Sequence, residues 1–193
     1  MSTTNSTTKA MSKNKIMMLL FVASESFFFL TLIISYVFYS HPGGHLSETA
    51  QYLNVKKTSI FTFFLLASSL TIEFADKKLK NGNRKGMLTW LGISILFGAI
   101  FLVGQGFEYI ELIEQKVTIS TNVFGSAFFT LTGFHGFHVF VGLVVLLILG
   151  NMVRSKKYQS IEYDAFNTAI IYWHFVDAVW VVVFSVVYIG AII

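Results

Sequence analysis

Five long apolar runs, separated by short polar stretches, constrain this chain more than any other feature. They cover approximately residues 16–39, 58–76, 88–113, 122–150 and 166–190. Each run is close to or above the roughly 20 residues that an α-helix needs to cross the hydrocarbon core of a bilayer. Lipid offers no water to the backbone, and the runs lack the alternation of a barrel strand. The sequence therefore predicts an all-α integral membrane bundle of five transmembrane helices, forming a single domain over residues 16–193.

The composition agrees with a membrane location. Of the 193 residues, 54% are hydrophobic and 12% are charged, whereas soluble domains average about 25% charged residues. The absence of cysteine excludes disulfides, cysteine-ligated iron–sulfur clusters, thiolate zinc sites and covalently attached c-type haem. Histidine and carboxylate ligands are left as the available donors for a metal.

The basic residues predict how the bundle is oriented. Most of the 14 Lys and Arg residues fall before the first run, between the second and third, and between the fourth and fifth. These stretches lie on one side of the membrane, and the positive-inside tendency makes that side cytoplasmic. We expect a cytoplasmic N-terminus, a C-terminus outside, and a disordered basic tail over residues 1–15. Basic loops next to anionic lipid headgroups account for the net charge of +4, and no nucleic-acid partner is expected.

Several ionisable residues lie inside the apolar runs. Inserting a charged side chain near the bilayer centre costs about 2.5–3.5 kcal/mol of free energy, so each such residue requires a structural or functional explanation. Residues three apart share a helix face, so we expect the two ionisable residues in each of the third, fourth and fifth runs to project from the same side of their helix. In the fifth run, Trp173 and Trp180 indicate that this side is an aromatic stripe that faces inward. The residues concerned are Glu25 in the first run, Glu108 and Glu111 in the third, His135 and His138 in the fourth, and His174 and Asp177 in the fifth.

Three interpretations of these residues stay open from the residues alone. The first makes them hydrogen-bonded pairs between helices, with Asp177 or a glutamate accepting from His135 or His174. The second makes the glutamates functional, as proton-carrying groups or as contacts to a lipid headgroup or a partner. The third has them bind haem or a di-iron centre, although the Glu-x-x-His motif that a di-iron bundle needs on two helices is missing.

Two further polar segments lie at the ends of the runs. The sequence His41-Pro42-Gly43-Gly44-His45 is typical of a turn, and its two histidines are a weak candidate for a surface metal site. Glu73 and Asp76, at the end of the second run, are expected in the headgroup region, where they offset the lysines that follow.

Several segments of the chain, from about Ile16 onward, form distinctive motifs. The longest are FGSAFFTLTGFHGFHV at residues 124–139 and YWHFVDAVW at residues 172–180. Shorter ones are LASS at residues 66–69, EYIE at residues 108–111, and Ser24-Glu25 with Phe28-Phe29. In these segments the chain resembles subunit III of the haem–copper terminal oxidases, the cytochrome c oxidase and quinol oxidase family. The resemblance covers about nine-tenths of the chain and follows the order of the family motifs.

The resemblance implies a non-catalytic subunit of a proton-pumping oxidase that reduces oxygen to water in aerobic respiratory electron transport. The resemblance implies that this chain holds no redox cofactor, because the haem and copper lie in subunits I and II. It also implies a bound phospholipid. Its expected partners are subunit I above all, subunit II, a small subunit IV and membrane lipids. It would support assembly, lipid binding and sustained proton uptake by subunit I.

The resemblance also assigns site residues, none of them catalytic and none a metal or cofactor ligand. It implies that they serve packing, lipid contact or proton-related support: Glu25, Glu108, Glu111, His135, His138, Trp173, His174 and Asp177. Glu25 matches the buried acid of the first helix in the family's common core.

Many members of the family have seven spans, so this chain is expected to be the five-helix bacterial form, located in the inner (plasma) membrane. In the long form a lipid lies in a cleft between the first two helices and the rest, and here only one wall of that cleft is expected. The ionisable residues within the spans are also compatible with two alternatives from other classes: a small proton or solute transporter with buried carboxylates, and a stand-alone haem or di-iron membrane enzyme.

Overall fold

The computed structural model describes residues 13–40, 53–120, 123–155 and 163–190. Five helices occupy these ranges: α1 (Lys13–Ser40), α2 (Val55–Lys80), α3 (Arg84–Glu114), α4 (Val123–Arg154) and α5 (Tyr163–Phe184), which continues into a π-helical turn at Ser185–Ile189. All five are long and apolar enough to cross a membrane, and the described ranges contain no strand. The predicted all-α bundle of five transmembrane helices is confirmed.

Each helix overlaps the run expected for it, and most extend about one turn further into the polar flanks, because backbone hydrogen bonding does not stop where hydropathy falls. Helix α1 begins at Lys13, so the last residues of the expected tail are helical. The rest of that tail, and the candidate metal turn from His41 to His45, lie outside the described residues. Asparagines cap two helices: Asn54 Oδ1 accepts from the backbone N–H of Lys57, and Asn83 Oδ1 from that of Gly86.

Helix α5 lies at the centre of the bundle. It packs against α1, α2 and α4, while α2 and α3 form an antiparallel hairpin with the most extensive contact of any pair. Helix α1 contacts α4 and α5 and is the least covered, because Phe29 and Tyr36 are its only buried residues within the described burial pattern. The core is therefore built from α2 to α5, and α1 lies against one side of it.

The centre of the core is a tryptophan held between two glycines. A Cβ added at Gly98 on α3 would lie 2.8 Å from the Trp173 ring, and one added at Gly142 on α4 would lie 2.9 Å from the same ring. Real side chains do not approach so closely, so only glycine lets α3 and α4 close on this indole. Trp173 is fully buried, and the fit fixes α5 relative to both neighbours.

Candidate functional site

The polar side chains of the spans form three clusters between helices. The α1/α4 pair consists of Glu25 and His138. The α2/α5 cluster consists of Ser69, Glu73, His174 and Asp177. The α2/α3/α5 cluster consists of Thr58, Gln105, Glu108 and Tyr188.

In the α1/α4 pair, His138 Nε2 lies 3.2 Å from Glu25 Oε2, and the His138 Nδ1 lies 2.7 Å from the backbone oxygen of Phe134. The carbonyl can only accept, so Nδ1 carries a proton. The contact between Nε2 and Glu25 then needs a second proton, carried either by the imidazole or by the carboxyl. Both side chains are mostly covered, at 12% and 22% exposure. This pair therefore links α1 to α4 through one hydrogen bond.

The α2/α5 cluster links a buried acid to the surface of the bundle. Asp177, which is buried, accepts from the Ser69 hydroxyl, and Ser69 Oγ lies 3.0 Å from His174 Nδ1. The other imidazole nitrogen, Nε2, lies 2.8 Å from Glu73 Oε1. The four side chains form one continuous hydrogen-bonded chain, and the carboxylate that contacts His174 is that of a glutamate, Glu73, one of the acceptors weighed from the sequence.

In the α2/α3/α5 cluster, three donors surround the buried carboxylate of Glu108. The Thr58 hydroxyl lies 3.0 Å from Oε1, the Tyr188 hydroxyl 2.7 Å from Oε2, and Gln105 Nε2 3.4 Å from Oε2. Tyr188 belongs to the π-helical turn, whose wider spiral shifts the residues that follow it relative to an α-helix. Glu111, three residues after Glu108, forms an ion pair with Lys57.

Both tryptophans of the predicted α5 stripe donate to hydroxyls on α2. Trp173 Nε1 lies 3.0 Å from Ser68 Oγ, and Trp180 Nε1 lies 2.9 Å from Thr62 Oγ1. The sequence interpretation missed these hydroxyls, together with Thr58, Ser69 and Tyr188. A signal was present, since Thr58, Thr62, Ser69 and Glu73 on α2 are spaced by 4, 7 and 4 residues, which places them on one helix face.

The two histidines of α4 separate, although they are three residues apart. His138 points toward α1, whereas His135 is fully buried and neither of its ring nitrogens has a hydrogen-bond partner in the described part of the chain. Its ring stacks on Trp180, with centroids 4.7 Å apart and an interplanar angle of 28°. Of the two histidines weighed as partners of a carboxylate, His174 contacts a glutamate, whereas aromatic rings of α3 and α5 enclose His135.

The two acids near the end of α2, Glu73 and Asp76, have different partners. Asp76 pairs with Lys80 one turn further along α2, as expected of an acid that offsets the lysines. Glu73 turns instead toward His174 on α5. The reason is its position on the polar face of α2 that lies along α5, which outweighs its nearness to the basic end of the helix.

These clusters consist of hydrogen bonds and ion pairs between helices. Over the ranges that the structure describes, no three or more His, Asp or Glu side chains come together in an arrangement that could hold a metal ion. The charged and polar groups bridge α1 to α4, α2 to α5 and α2 to α3. Their arrangement ties the helices together in pairs.

Comparison with known proteins shows which family the chain is similar to. The family profile described as "Cytochrome c oxidase subunit III" matches residues 2–192. The cytochrome c oxidase subunit 3 of Corynebacterium diphtheriae is 36% identical over 173 residues, which are 88% of this chain and 84% of that protein. The protein of the same name from Bacillus sp. strain PS3 is 37% identical, over 88% of this chain and 82% of the relative. That from Osphranter robustus is 38% identical, over 89% and 67%.

Proposed function

Because the chain belongs to the cytochrome c oxidase subunit III family, we propose that it is the non-catalytic integral subunit III of a proton-pumping haem–copper terminal oxidase. In that complex the haems and copper lie on subunits I and II, and oxygen is reduced to water there. This chain supports assembly, lipid binding and sustained proton uptake by subunit I. Subunit I is its main partner, and subunit II, a small subunit IV and membrane phospholipid are the others.

The observation that carries the proposal is a family match over nearly the whole chain, from residue 2 to residue 192. The two longest segments of resemblance, residues 124–139 and 172–180, supply the centre of the bundle. Trp173, Trp180 and His135 from these segments are all fully buried. The residues that mark the family are thus the residues that hold α3, α4 and α5 together.

The contacts of the histidine rings support a non-catalytic role. A haem axial ligand needs an imidazole nitrogen that faces open space beside the helix. Both nitrogens of His138 and both of His174 contact protein groups, and His135 is enclosed by aromatic rings. We therefore assign these histidines, with Glu25, Glu108, Glu111, Trp173 and Asp177, to packing and proton-related support.

The location follows from the same proposal. The five membrane-spanning helices and the respiratory relatives make this a membrane protein. We place it in a bacterial inner membrane, with the N-terminus and the lysine-rich connections in the cytoplasm and the C-terminus outside, on the distribution of basic residues.

Purification from native membranes in a mild detergent tests the proposed function. We expect the tagged chain to bring down a complex with the visible spectrum of a haem–copper oxidase, and the chain purified alone to show no stoichiometric haem band. Recovery of the intact chain without any haem–copper partner would overturn the proposal. Proton or solute flux in liposomes that contain only this chain would favour a transporter instead.

A further inference from the structure

The turn between α2 and α3 carries more positive charge than its own acids balance. The segment DKKLKNGNRK, residues 76–85, holds five basic residues and one acid. That acid, Asp76, pairs with Lys80. Three further lysines of the segment are exposed, and none contacts a carboxylate among the residues that the structure describes: Lys77, Lys78 and Lys85. The turn therefore presents cations that lack a counter-ion within the described part of the chain.

The rest of the sequence at this end of the bundle does not supply the missing negative charge. The helices alternate in direction, so the start of α1 and the connection from α4 to α5 belong to the same end as this turn. Residues 1–12 and 156–164 together contain three lysines against two acids. The net charge of this end is therefore positive, and an anion that neutralises the turn must come from outside the chain.

Lys77 lies beside two aromatic rings of the α2/α3 hairpin. Its Nζ is 5.5 Å from the centroid of the Phe74 ring, within the range of a cation–π contact. The Phe74 ring centroid is in turn 4.9 Å from that of Trp90 on α3, whose indole N–H makes no hydrogen bond within the described ranges. Glu73, one turn before Lys77, contacts His174 instead. An ammonium and an indole N–H, both able to donate, therefore flank one phenyl ring.

An apolar stripe leads away from Lys77 along the outside of α2. This α2 stripe consists of Phe63, Leu66, Leu70 and Phe74, and their spacing of three or four residues places them on one helix face. All four side chains are between 41% and 68% exposed. From Phe63 to Lys77 the helix rises about 21 Å, at 1.5 Å per residue. The surface is therefore apolar over most of its length and cationic at one end.

We propose that this surface binds an anionic phospholipid, with its phosphate on Lys77 and the Trp90 indole N–H and one acyl chain along the α2 stripe. The proposal rests on the proposed function, which includes lipid binding, and gives the lipid a place and a charge. Phosphate oxygens accept charge-assisted hydrogen bonds from an ammonium group. Inorganic phosphate would leave the α2 stripe uncovered. A zwitterionic lipid brings its own cation, which competes with Lys77 for the phosphate and leaves the turn without a counter-ion.

Photolabelling of the intact oxidase with lipid tests the assignment. The solubilised complex is incubated with phosphatidylglycerol or phosphatidylcholine that carry the same diazirine-bearing acyl chain, and the adducts are mapped on peptides of this chain. We expect phosphatidylglycerol to label the α2 stripe about fivefold more than phosphatidylcholine at equal concentration, because a lysine near the membrane surface favours anionic lipid by about this factor. Equal labelling by the two lipids, or no labelling of the α2 stripe, would overturn the proposal.

Substitution of the two donors tests how the phosphate is held. We expect Lys77→Gln to abolish the preference for phosphatidylglycerol and Lys77→Arg to keep it, because arginine retains the charge. Trp90→Phe keeps the ring but removes the N–H, and should lower the preference in part. Lys56→Gln, at an exposed position near the other end of α2, is the matched control and should leave it unchanged. An unchanged preference in Lys77→Gln would overturn the assignment, as would loss of labelling on addition of inorganic phosphate alone.

The labelling result separates this proposal from the proposed function. If the chain copurifies with a haem–copper complex but the α2 stripe shows no preference for phosphatidylglycerol, the lipid site is wrong and the family role stands. If no haem–copper complex copurifies, the proposed function fails, and the labelling of the extracted chain still decides whether this surface selects anionic phospholipid.

Discussion

At the scale of single residues, hydrogen-bond partners decide what a buried polar group does. His138 forms a hydrogen bond with Glu25, whereas His135, one turn earlier, stacks on Trp180 and has no polar partner in the described part of the chain. A buried acceptor that loses its donor costs about 1–3 kcal/mol, while replacing a ring by another of similar shape costs less. The two histidines should therefore respond differently to the same substitution.

We expect His135→Phe to change the thermal stability of the detergent-solubilised oxidase only slightly, because Phe keeps the aromatic stack. We expect His138→Phe to destabilise attachment of this chain by about 1–3 kcal/mol, because Glu25 is left without its partner. Dissociation of the chain during a temperature ramp measures both. A larger loss for His135→Phe would show that His135 makes a polar contact after all.

Asp177 offers a second comparison at this scale. Asp177→Ala removes the acceptor of the Ser69 hydroxyl and interrupts the chain that ends at Glu73, so we expect a loss of about 1–3 kcal/mol in stability. Asp177→Asn keeps an acceptor oxygen and should lose less. Equal stability of Asp177→Ala and the parent would contradict a structural role for the contact with Ser69.

The sequence predicted which side chains would be polar and buried, but not most of their partners. Glu25, His138, Glu108, His174 and Asp177 could be named because charge within an apolar run is visible in one dimension. The partners Ser69, Thr62 and Tyr188 could not, because a serine or threonine in a span is common and its role depends on which helix lies opposite. The packing of His135 could not be predicted either, because its aromatic neighbours come from three other helices.

At the scale of the helices, small residues set how closely two backbones approach. Helix α4 contains Gly136 and Gly142, which look alike in the sequence. A Cβ at Gly142 would lie 2.9 Å from the Trp173 ring, whereas a Cβ at Gly136 would meet its nearest atom, in Leu102, at an ordinary 3.7 Å. Helix spans were predictable from length and hydropathy, but which glycine is indispensable was not, because that depends on the side chain opposite.

We expect Gly142→Ala to destabilise the bundle by about 1–3 kcal/mol, because the added methyl group overpacks against Trp173. Gly136→Ala is the matched control on the same helix, and should be neutral or slightly stabilising, since alanine favours helix by about 1 kcal/mol over glycine. Unfolding midpoints of the solubilised complex in denaturant compare the two. Similar midpoints would show that α4 can move away from α5 at little cost.

At the scale of the whole molecule, the bundle buries Asp76, Glu108 and Asp177 between helices while leaving much of its apolar surface exposed. Helix α1 shows this most clearly, since only 6% of its membrane span is buried. Its only link from a charged side chain to the rest of the bundle, within the described ranges, is the contact between Glu25 and His138. A change at Glu25 should thus affect how α1 is held without unfolding the other four helices.

We expect Glu25→Gln to leave the oxidase assembled but to shorten the period over which it sustains oxygen consumption, because the amide keeps a hydrogen bond to His138 but cannot ionise. Oxygen uptake followed over many turnovers, with Glu114→Gln at an exposed position as the control, measures this. Parental activity throughout, with unchanged lipid content, would remove Glu25 from the functional residues.

The direction of insertion is a second prediction for the whole molecule. The lysine-rich connections should lie in the cytoplasm, because basic residues near the ends of spans resist translocation. A reporter fused to the C-terminus should then be active outside the cytoplasmic membrane, and a protease added outside should remove it. A reporter active only in the cytoplasm would reverse the assignment of both faces.

The central position of α5 has a consequence for biogenesis. Helix α5 and its π-helical turn supply hydrogen-bond donors to three groups on earlier helices: Ser68 and Thr62 on α2, and Glu108 on α3. During translation these earlier helices enter the bilayer while α5 is still inside the ribosome. Their polar groups therefore lack the hydrogen bonds that α5 later donates. The hydrogen bonds between α5 and the earlier helices thus form after translation. A nascent chain arrested before α5 should be recognised by membrane proteases as immature.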